Sequence, residues 1–240
     1  MRNGMTEVKS YVRSLERSRI SMTRKDRPRV FTMRGFEWDL LDGVFAPVYS
    51  PSTEVGLDFL EQYRVPFGGS LLEMGCGAGL AAVLAAKYGC ANVVASDINP
   101  NAVLNTALNA ERHGVADRLR AVHSDVFLGL DPEQRFDTIF WSSNYVYGPE
   151  DYEYGSLHER AYVDAGYRAH RDFLEQAPSW LTENGTALLH FSSRGDLGEL
   201  ERLAGSLGRR LRTVADRDVI EDEYGFDSVR HLLLEVRRAD

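Results

Sequence analysis

A glycine-rich segment is the part of this 240-residue chain whose residue types and spacing most clearly suit ligand chemistry. Gly75, Gly77 and Gly79 follow a short apolar run and precede a helical one, and Cys76 lies within the loop that they form. Glycines in this context let backbone N–H groups approach a ligand that side chains would otherwise keep away. Glu73 places an acidic residue just ahead of the loop. The segment therefore predicts a site for a nucleotide or nucleoside cofactor.

The residues around the loop favour one kind of cofactor. Dinucleotide dehydrogenases need a third glycine at position 80, which here is Leu80. Asp97, followed by Ile98, ends the next apolar run, where a carboxylate can accept both ribose hydroxyls of a nucleoside. Asp125 ends the run after that and suits a donor such as an adenine amine, and Val126 can pack on the ring. These acids predict a nucleoside cofactor rather than NAD.

A polar and aromatic segment, residues 142–147, follows the next apolar run. In open parallel sheets, ligands bind at this edge, so we expect the second substrate there. Six of the chain's 11 tyrosines fall between residues 145 and 167, and several should line the pocket. The substrate-contact candidates are Tyr145, Tyr147, Tyr154 and His158. If the substrate must lose a proton, the base candidates are His158, Glu159, Asp151 and His190, although a structural role is the simpler interpretation for His158 and His190.

The elements that must position these residues alternate between strand-length and helix-length patterns from Ser70 onward, as in a parallel sheet covered on both faces. The C-terminal strands near 211–215 and 231–236 flank an acidic stretch at 218–227 and should pair antiparallel. We expect an α/β fold with a doubly wound, mostly parallel seven-stranded sheet. The predicted strands are 71–74, 92–96, 119–124, 138–141 and 186–191, and the predicted helices are 52–63, 80–88, 101–113, 157–181 and 197–207.

The N-terminal 50 residues form a separate predicted region. Val8, Tyr11, Val12 and Leu15 have the spacing of a short amphipathic helix, whereas residues 18–29 are polar and should be irregular. Extended pieces and turns are expected over residues 30–51. The aromatic side chains of this stretch could form a lid over the site: Phe31, Phe36, Trp38 and Phe45. The chain is thus predicted to have an N-terminal helix and lid segment, residues 1–50, and a catalytic domain, residues 51–240.

Composition limits the partners. The formal net charge is −8, although residues 1–30 hold nine Lys or Arg against three Asp or Glu. An acidic body disfavours long nucleic acid, whereas the basic leader could contact an anionic partner or remain a solvated arm. The two cysteines, Cys76 and Cys90, do not form a spaced ligand set, so no metal site is expected. Without an apolar run long enough for a membrane span, we expect a cytoplasmic enzyme.

Residues 51–240 resemble the class I methyltransferases, which have a Rossmann-like sheet and use S-adenosylmethionine. The resemblance implies that Glu73 is the acidic residue ahead of the loop and that the three glycines lie under the methionine moiety. It also implies a ribose acid at Asp97 and an adenine site at Asp125 and Val126. The expected antiparallel C-terminal strands fit this fold and do not fit a dehydrogenase.

The segment Ser142-Ser143-Asn144-Tyr145-Val146-Tyr147 is similar to the Asn-Pro-Pro-Tyr motif of amino-group methyltransferases, with Asn144 and Tyr147 in matching places and both prolines replaced. In those enzymes the asparagine accepts a hydrogen bond from a planar nitrogen and the aromatic ring stacks on it. The resemblance implies that Asn144 and Tyr147 are catalytic and that Asn144 also lies at the cofactor. Pro51-Ser52-Thr53-Glu54 is similar to a stretch in the members that modify release-factor glutamine, although a helix N-cap explains it nearly as well.

We expect a methyltransferase that acts on a nitrogen of a small molecule or an amino-acid-like group. The alternatives within the class are a protein side-chain N-methyltransferase and a small-molecule O-methyltransferase. Outside it, a non-catalytic cofactor-binding subunit and a nicotinamide dehydrogenase remain open. The oligomeric state is not predicted.

Overall fold

A seven-stranded sheet forms the centre of the computed structural model, which describes residues 10–63, 69–220 and 228–239. Its strands are β3 (Ser70–Met74), β4 (Asn92–Asp97), β5 (Leu119–His123), β6 (Phe136–Ser142), β9 (Leu181–Ser192), β10 (Arg209–Ile220) and β11 (Ser228–Arg238). Their order in the sheet is β10-β11-β9-β6-β3-β4-β5. Strand β11 pairs antiparallel with both neighbours, and β3 to β6 and β9 pair in parallel. The predicted fold class and the C-terminal antiparallel pair are confirmed.

Helices cover both faces of this sheet. Apolar side chains of a buried strand alternate between the two faces, so both faces must be shielded from water. Phe140 packs in one core with α2 (Ser52–Tyr63), α3 (Leu80–Lys87) and α4 (Pro100–Arg112). Its neighbours on β6, Ile139 and Trp141, pack in the other core. That second core also contains α5 (Arg168–Gln176) and α6 (Leu197–Ser206). Consecutive residues at the end of β6 therefore reach opposite layers of the protein.

The N-terminal segment differs from the expectation. Helix α1 (Tyr11–Thr23) runs on through residues expected to be irregular, and the face it buries is made of Ser14, Ser18 and Ser21. A hydrophobic pattern could not reveal this face, because its contacts are hydroxyl groups. The exposed Val12 does not serve as an apolar anchor. Val8 lies outside the described residues.

A hairpin follows, formed by β1 (Val30–Met33) and β2 (Phe36–Asp39), and it packs beside α4. The side-chain amides of Asn105 and Asn109 bond the backbone of Asp39. Phe31 and Trp38 are buried in the core of that face, and Phe36 packs edge-on against Trp38. These three side chains do not cover the cavity described below, so the aromatic lid expected here is wrong for them.

The helix expected over residues 157–181 is replaced by several shorter pieces. A 3-10 turn (Leu157–Ala161) leads to the short strand β8 (Asp164–Ala165), which pairs with β7 (Tyr147–Gly148). Gly166 and Tyr167 both have positive φ, at 60° and 51°, so the chain turns there and α5 begins only at Arg168. A second 3-10 turn, Ala177–Trp180, leads into β9. The acidic stretch at 218–227 lies partly in β10, and its residues 221–227 are outside the described part.

In the described ranges, none of the helices combines the length and apolarity needed to cross a membrane, and no group of three metal-ligating side chains comes together.

Candidate active site

The glycine loop joins β3 to α3, and its backbone requires glycine at each of the three positions. Gly75, Gly77 and Gly79 have φ values of 62°, 54° and 79°. A Cβ atom on Gly79 would lie 2.7 Å from the Thr106 side chain, and one on Gly75 would lie 3.1 Å from the Trp141 indole nitrogen. A Cβ atom on Gly77 would meet nothing within 4 Å. Two of the glycines therefore allow close packing, whereas Gly77 leaves space on its open side.

That space belongs to a cavity of about 610 Å³ at the carboxyl ends of the parallel strands. Asp97 lies in its wall, where Oδ2 accepts a hydrogen bond from Gly77 N at 2.9 Å and Oδ1 accepts one from Asn99 N at 2.8 Å. Burial raises the pKa of the Asp97 carboxyl. The two backbone bonds hold the carboxylate at the end of β4, and Ile98 beside it also lines the cavity.

Glu73 is almost fully buried and its Oε2 accepts a hydrogen bond from Ala82 N at 2.7 Å, in the first turn of α3. Burial, reinforced by the nearby charge of Asp97, raises the pKa of Glu73 to about 8. The neighbouring Cys76 is buried, and burial likewise raises the pKa of its thiol. Thr106 Oγ1 donates to Cys76 Sγ at 3.2 Å. Both residues line the cavity, but their side-chain contacts organise the loop and its helix.

Val126 has φ of 50°, an unusual conformation for a β-branched residue. Ser124 stabilises this turn, since its hydroxyl donates to Val126 O at 2.8 Å and accepts from Gly129 N at 2.9 Å. Asp125 stands between them with a half-exposed side chain, 3.9 Å from the guanidinium of Arg160. Strained backbone of this kind concentrates at ligand sites. The turn presents Asp125 and Val126 to the same cavity as Asp97.

Asn144 follows β6, and its orientation is fixed by two backbone carbonyls. Its Nδ2 donates to Arg160 O at 2.8 Å and to Val163 O at 3.3 Å, which assigns the nitrogen and the oxygen of the amide. The other atom, Oδ1, is buried and has no hydrogen-bond partner among the residues that the structure describes. Asn144 lines the cavity. A buried amide oxygen without a donor is costly, so this atom is suited to a ligand N–H or O–H.

The predicted substrate-contact residues separate into two groups. Tyr145, Tyr154 and His158 line the cavity. Tyr147 does not, because its ring packs edge-on against Tyr167, 5.0 Å between centroids, and its backbone pairs with β8. The structure therefore does not bring Tyr147 to the place that a ring stacked on the substrate would need.

Two of these side chains are held by the protein itself. Tyr154 donates from its hydroxyl to Val163 O and accepts from Ala165 N at 2.8 Å. His158 Nδ1 bonds the Ser18 hydroxyl at 2.7 Å, and burial, aided by the charge of Arg27, lowers the pKa of His158 to about 4. A histidine that stays neutral at physiological pH can hold α1 in place without burying a charge.

Helix α1 forms one wall of the cavity and contributes Arg17, Ile20 and Ser21, and Arg24 follows directly after it. Phe45 is the one member of the expected aromatic lid that reaches the cavity, and its ring lies 5.4 Å from that of Tyr162. The cavity is thus closed mainly by a polar helix rather than by an aromatic lid.

Two hydroxyl–imidazole contacts at the end of β6, one part-buried and one buried, were not predicted from the sequence. Ser142 Oγ lies 3.0 Å from His190 Nδ1, on the α2 side of the sheet. Ser143 Oγ lies 3.1 Å from His170 Nε2, on the α5 side. His190, a base candidate, therefore reaches the cavity only through Ser142. Neither pair has a sequence signal, because the partners are 27 to 48 residues apart.

The two acidic base candidates are placed less favourably. Glu159 accepts hydrogen bonds from Tyr152 Oη and Gly155 N, and Asp151 is exposed. Neither of them lines the cavity.

The residues present fit S-adenosylmethionine. Asp97 offers a carboxylate for a ribose, the strained turn at Val126 offers an apolar contact for a base, and Gly77 leaves open space beside the loop. The volume also suits a ligand of this size together with part of an acceptor. The cofactor supplies an electrophilic methyl group when it is bound.

Comparisons with known proteins agree with this fit. The family model described as ribosomal protein L11 methyltransferase matches residues 49–141. Ribosomal protein L11 methyltransferase of Actinobacillus pleuropneumoniae is 34% identical over 99 residues, covering 41% of this chain and 32% of that protein. The enzyme of the same name from Vibrio parahaemolyticus is 42% identical over 69 residues, covering 29% and 23%. The chain thus spans a third or less of the length of these curated relatives.

Solved structures extend the similarity of fold beyond that region. A ribosomal protein L11 methylase from Lactobacillus delbrueckii subsp. bulgaricus superposes with a TM-score of 0.55 at 16% identity, covering 79% of each chain. The 16S rRNA N2 G1207 methyltransferase of T. thermophilus gives a TM-score of 0.57 at 21% identity, over 87% of this chain and 49% of that one. The tRNA m1G37 methyltransferase of M. jannaschii gives 0.58 at 16%, over 88% and 56%.

The expected partners need correction. The proteins that this chain resembles are named for a ribosomal protein, a tRNA and an rRNA, so the expectations of a small-molecule substrate and of an unlikely role for long nucleic acid are wrong. The net charge was a poor guide to the partners because it averages over the whole surface. Five arginines line the cavity of this acidic protein: Arg17, Arg24, Arg160, Arg168 and Arg194.

The sheet order, the glycine loop, the acid at the end of β4 and these similarities lead to one conclusion. The chain has the fold of the class I S-adenosylmethionine-dependent methyltransferases, and its residues 49–141 match the family model described as ribosomal protein L11 methyltransferase.

Proposed function

We propose that this chain transfers a methyl group from S-adenosylmethionine to a side-chain nitrogen of a protein substrate. The observation that carries the proposal is Asn144, a residue of the cavity wall whose buried Oδ1 has no hydrogen-bond partner among the described residues. A nitrogen that bears hydrogen can donate to this oxygen, and the bond would fix the direction of the nitrogen lone pair. Methyl transfer from a sulfonium depends chiefly on such positioning.

The other site residues have roles in this proposal that follow from their contacts. Asp97 holds the ribose hydroxyls, since its carboxylate is already oriented by Gly77 N and Asn99 N. Asp125 and Val126 hold the adenine. Tyr145 and Tyr154 line the side of the cavity where Asn144 lies and would pack against the acceptor.

A protein acceptor is favoured over RNA by the sequence relatives, which are 34 to 42% identical over the matched regions and are named for a ribosomal protein. The solved RNA methyltransferases are 16 and 21% identical, a level that supports the fold alone. The family match ends at Trp141, just before Asn144. The proposal of a protein nitrogen as the methyl acceptor is therefore supported by the geometry of Asn144 and by the ribosomal protein for which the relatives are named.

The test uses the whole chain and S-adenosylmethionine labelled in the methyl group, with purified ribosomal protein L11 and an extract of cells that lack this gene as acceptors. We expect label that is removed by protease and resists nuclease, and a mass increase of one methyl on a peptide, located on a nitrogen by fragmentation. Label removed by nuclease would show an RNA acceptor and overturn the proposal. Binding of the demethylated cofactor product without any transfer would favour a non-catalytic subunit.

Asn144→Ala tests the atom that carries the proposal. We expect kcat to fall about 10²-fold, as for other single hydrogen bonds in desolvated sites, with unchanged affinity for the demethylated product. Asn144→Asp should be at least as damaging, because a carboxylate cannot donate to Arg160 O and Val163 O. The control is Asn101→Ala, an exposed asparagine that does not line the cavity. Normal turnover in both Asn144 variants would contradict the role of Oδ1.

A further inference from the structure

Three buried side chains form a continuous hydrogen-bonded chain that ends at the cavity. Asp164 Oδ2 lies 2.7 Å from His170 Nδ1, and His170 Nε2 lies 3.1 Å from Ser143 Oγ. The three residues are 2%, 0% and 6% exposed, respectively. Ser143 and Asp164 line the cavity, and His170 lies between them. The residues come from β8, α5 and the segment after β6, so the fold rather than the sequence assembles them.

The distances determine where the protons lie. The Asp164 carboxylate also accepts hydrogen bonds from the backbone N–H groups of Ala169 and His170, so it faces three donors, and His170 Nδ1 must carry its proton toward it. Neutral His170 then has its free lone pair on Nε2, directed at Ser143.

The Ser143 hydroxyl has one hydrogen and two acceptors within reach, His170 Nε2 and His190 O, each at 3.1 Å. With His170 neutral, the hydroxyl donates to Nε2. With His170 protonated, Nε2 donates to Oγ and the hydroxyl hydrogen turns to His190 O. The hydrogen bonds are therefore satisfied in both protonation states of His170 without any movement of the heavy atoms. A proton relay needs this property.

We propose that Ser143, His170 and Asp164 form a proton relay for the nitrogen acceptor; the identity of that acceptor rests on the proposed function. The nitrogen lone pair forms the new N–C bond as the C–S bond breaks, and the electron pair of that bond stays on sulfur. The acceptor's N–H proton passes to Ser143 Oγ, and the Ser143 proton passes to His170 Nε2. The resulting imidazolium is paired with the Asp164 carboxylate. No oxidant or other reactant is required.

The surroundings of His170 are otherwise aromatic. Its ring lies 4.6 Å from that of Trp141, 4.7 Å from that of Tyr167 and 5.8 Å from that of Phe191, between centroids. The titratable or charged groups on its own helix are Arg168, Arg171, Asp172 and Glu175, and those on the elements packed against it include Asp164, Tyr145, Tyr147, Tyr167, His190, Arg194 and Asp196. Of these, Asp164 is the group that the structure shows bonded to the imidazole.

The first test needs no methyl acceptor. In the full-length protein labelled with ¹⁵N-histidine, we expect neutral His170 to be the Nδ1–H tautomer, with Nε2 resonating as an acceptor nitrogen. The signals are assigned with His170→Gln, and Ser143→Ala should move the Nε2 resonance. A proton on Nε2 of neutral His170 would overturn the relay.

The second test uses turnover on the protein acceptor. Ser143→Ala should reduce kcat about 10²-fold with unchanged KM and unchanged affinity for the demethylated product, and Ser143→Thr, which keeps the hydroxyl, should retain most of the activity. His170→Gln should also remove most of the rate, because the variant lacks the imidazole nitrogen that takes the Ser143 proton. Ser179→Ala, at an exposed serine in the turn before β9, is the matched control.

The outcomes separate the two proposals. Wild-type kcat in a folded Ser143→Ala protein refutes the relay and leaves the proposed function intact. Absence of transfer to any protein nitrogen by the wild type refutes the proposed function, whereas a proton on Nε2 of neutral His170 in the free protein refutes the relay independently of any acceptor. Melting temperatures of all variants exclude loss of folding as the cause.

Discussion

Glu73 should make the folded state less stable as pH rises from 5 to 8.5. In the unfolded chain this carboxyl titrates near its ordinary value of 4.5, whereas burial raises its pKa in the folded protein to about 8. Between these values the folded state holds a proton that the unfolded state has released. The stability of the cofactor-free protein should therefore be greatest at low pH, as far as this group is concerned, and fall as pH rises through 8.

The magnitude follows from linkage. Each pKa unit corresponds to about 1.4 kcal/mol, so ionisation of Glu73 should cost about 4 kcal/mol of folding free energy between pH 5 and pH 8.5. Glu73→Gln removes the charge while leaving an amide oxygen that can still accept from Ala82 N. We expect the variant to lack this loss, so its advantage over the wild type grows with pH.

The assay is urea unfolding followed by circular dichroism at half-unit steps from pH 5 to pH 8.5, without cofactor. The difference in free energy of unfolding between the variant and the wild type reports the effect of Glu73, because His158 is present in both proteins. The lowered pKa of His158 acts in the opposite direction and reduces stability below pH 6.5. Glu183→Gln, at an exposed glutamate on β9, is the control. Parallel pH curves for the wild type and Glu73→Gln would refute the reasoning.

Other substitutions address the cofactor site and the cavity boundary. Gly77→Ala should cost about 1 to 2 kcal/mol of stability for its left-handed backbone and should weaken binding of the demethylated cofactor product, measured by calorimetry, because its Cβ enters the open space. Gly79→Ala should destabilise the fold more than Gly77→Ala does in a thermal melt, because its Cβ also meets Thr106 at 2.7 Å; equal melting temperatures would contradict this. Asp97→Ala should weaken product binding at least tenfold in the same calorimetry, and unchanged affinity would remove Asp97 from the site. Tyr147→Phe should leave kcat within about twofold of the wild type, since hydroxyl removal at a site outside the cavity disturbs little.

The cofactor half of the cavity could be predicted from sequence because its geometry is local. Glycines at fixed spacing after a buried strand require left-handed backbone, and an acid at the end of the next parallel strand must lie beside them. Gly77 N bonds Asp97 across 20 residues for this reason. The conformation of the loop and the position of the strand end follow from short-range rules, which were enough to predict that Asp97 lies beside the loop.

The acceptor half was less predictable because its contacts are long-range and polar. Gly166 and Tyr167 interrupt what periodicity indicated as one helix, and only the structure shows the positive φ of Tyr167. The serine face of α1 carries no hydrophobic signal. Residues 143, 164 and 170 of the relay are brought together by the pairing of β7 with β8. Each of these strands has two residues, which is too short for a recognisable sequence pattern.

The contact between α1 and the 3-10 turn at Leu157–Ala161 has a practical consequence for laboratory work with this protein. The described contacts that hold the helix include the buried hydroxyl–imidazole bond from Ser18 to His158, the buried Ser14 and Ser21, and the ring contact of Tyr11 with Tyr152. A deletion ahead of Thr23, or a bulky affinity tag placed against α1, would admit water to the space where the methyl group moves, and an apparently inactive preparation would follow from the cloning strategy alone. Tags belong after β11, whose last residues, Arg237 and Arg238, are exposed.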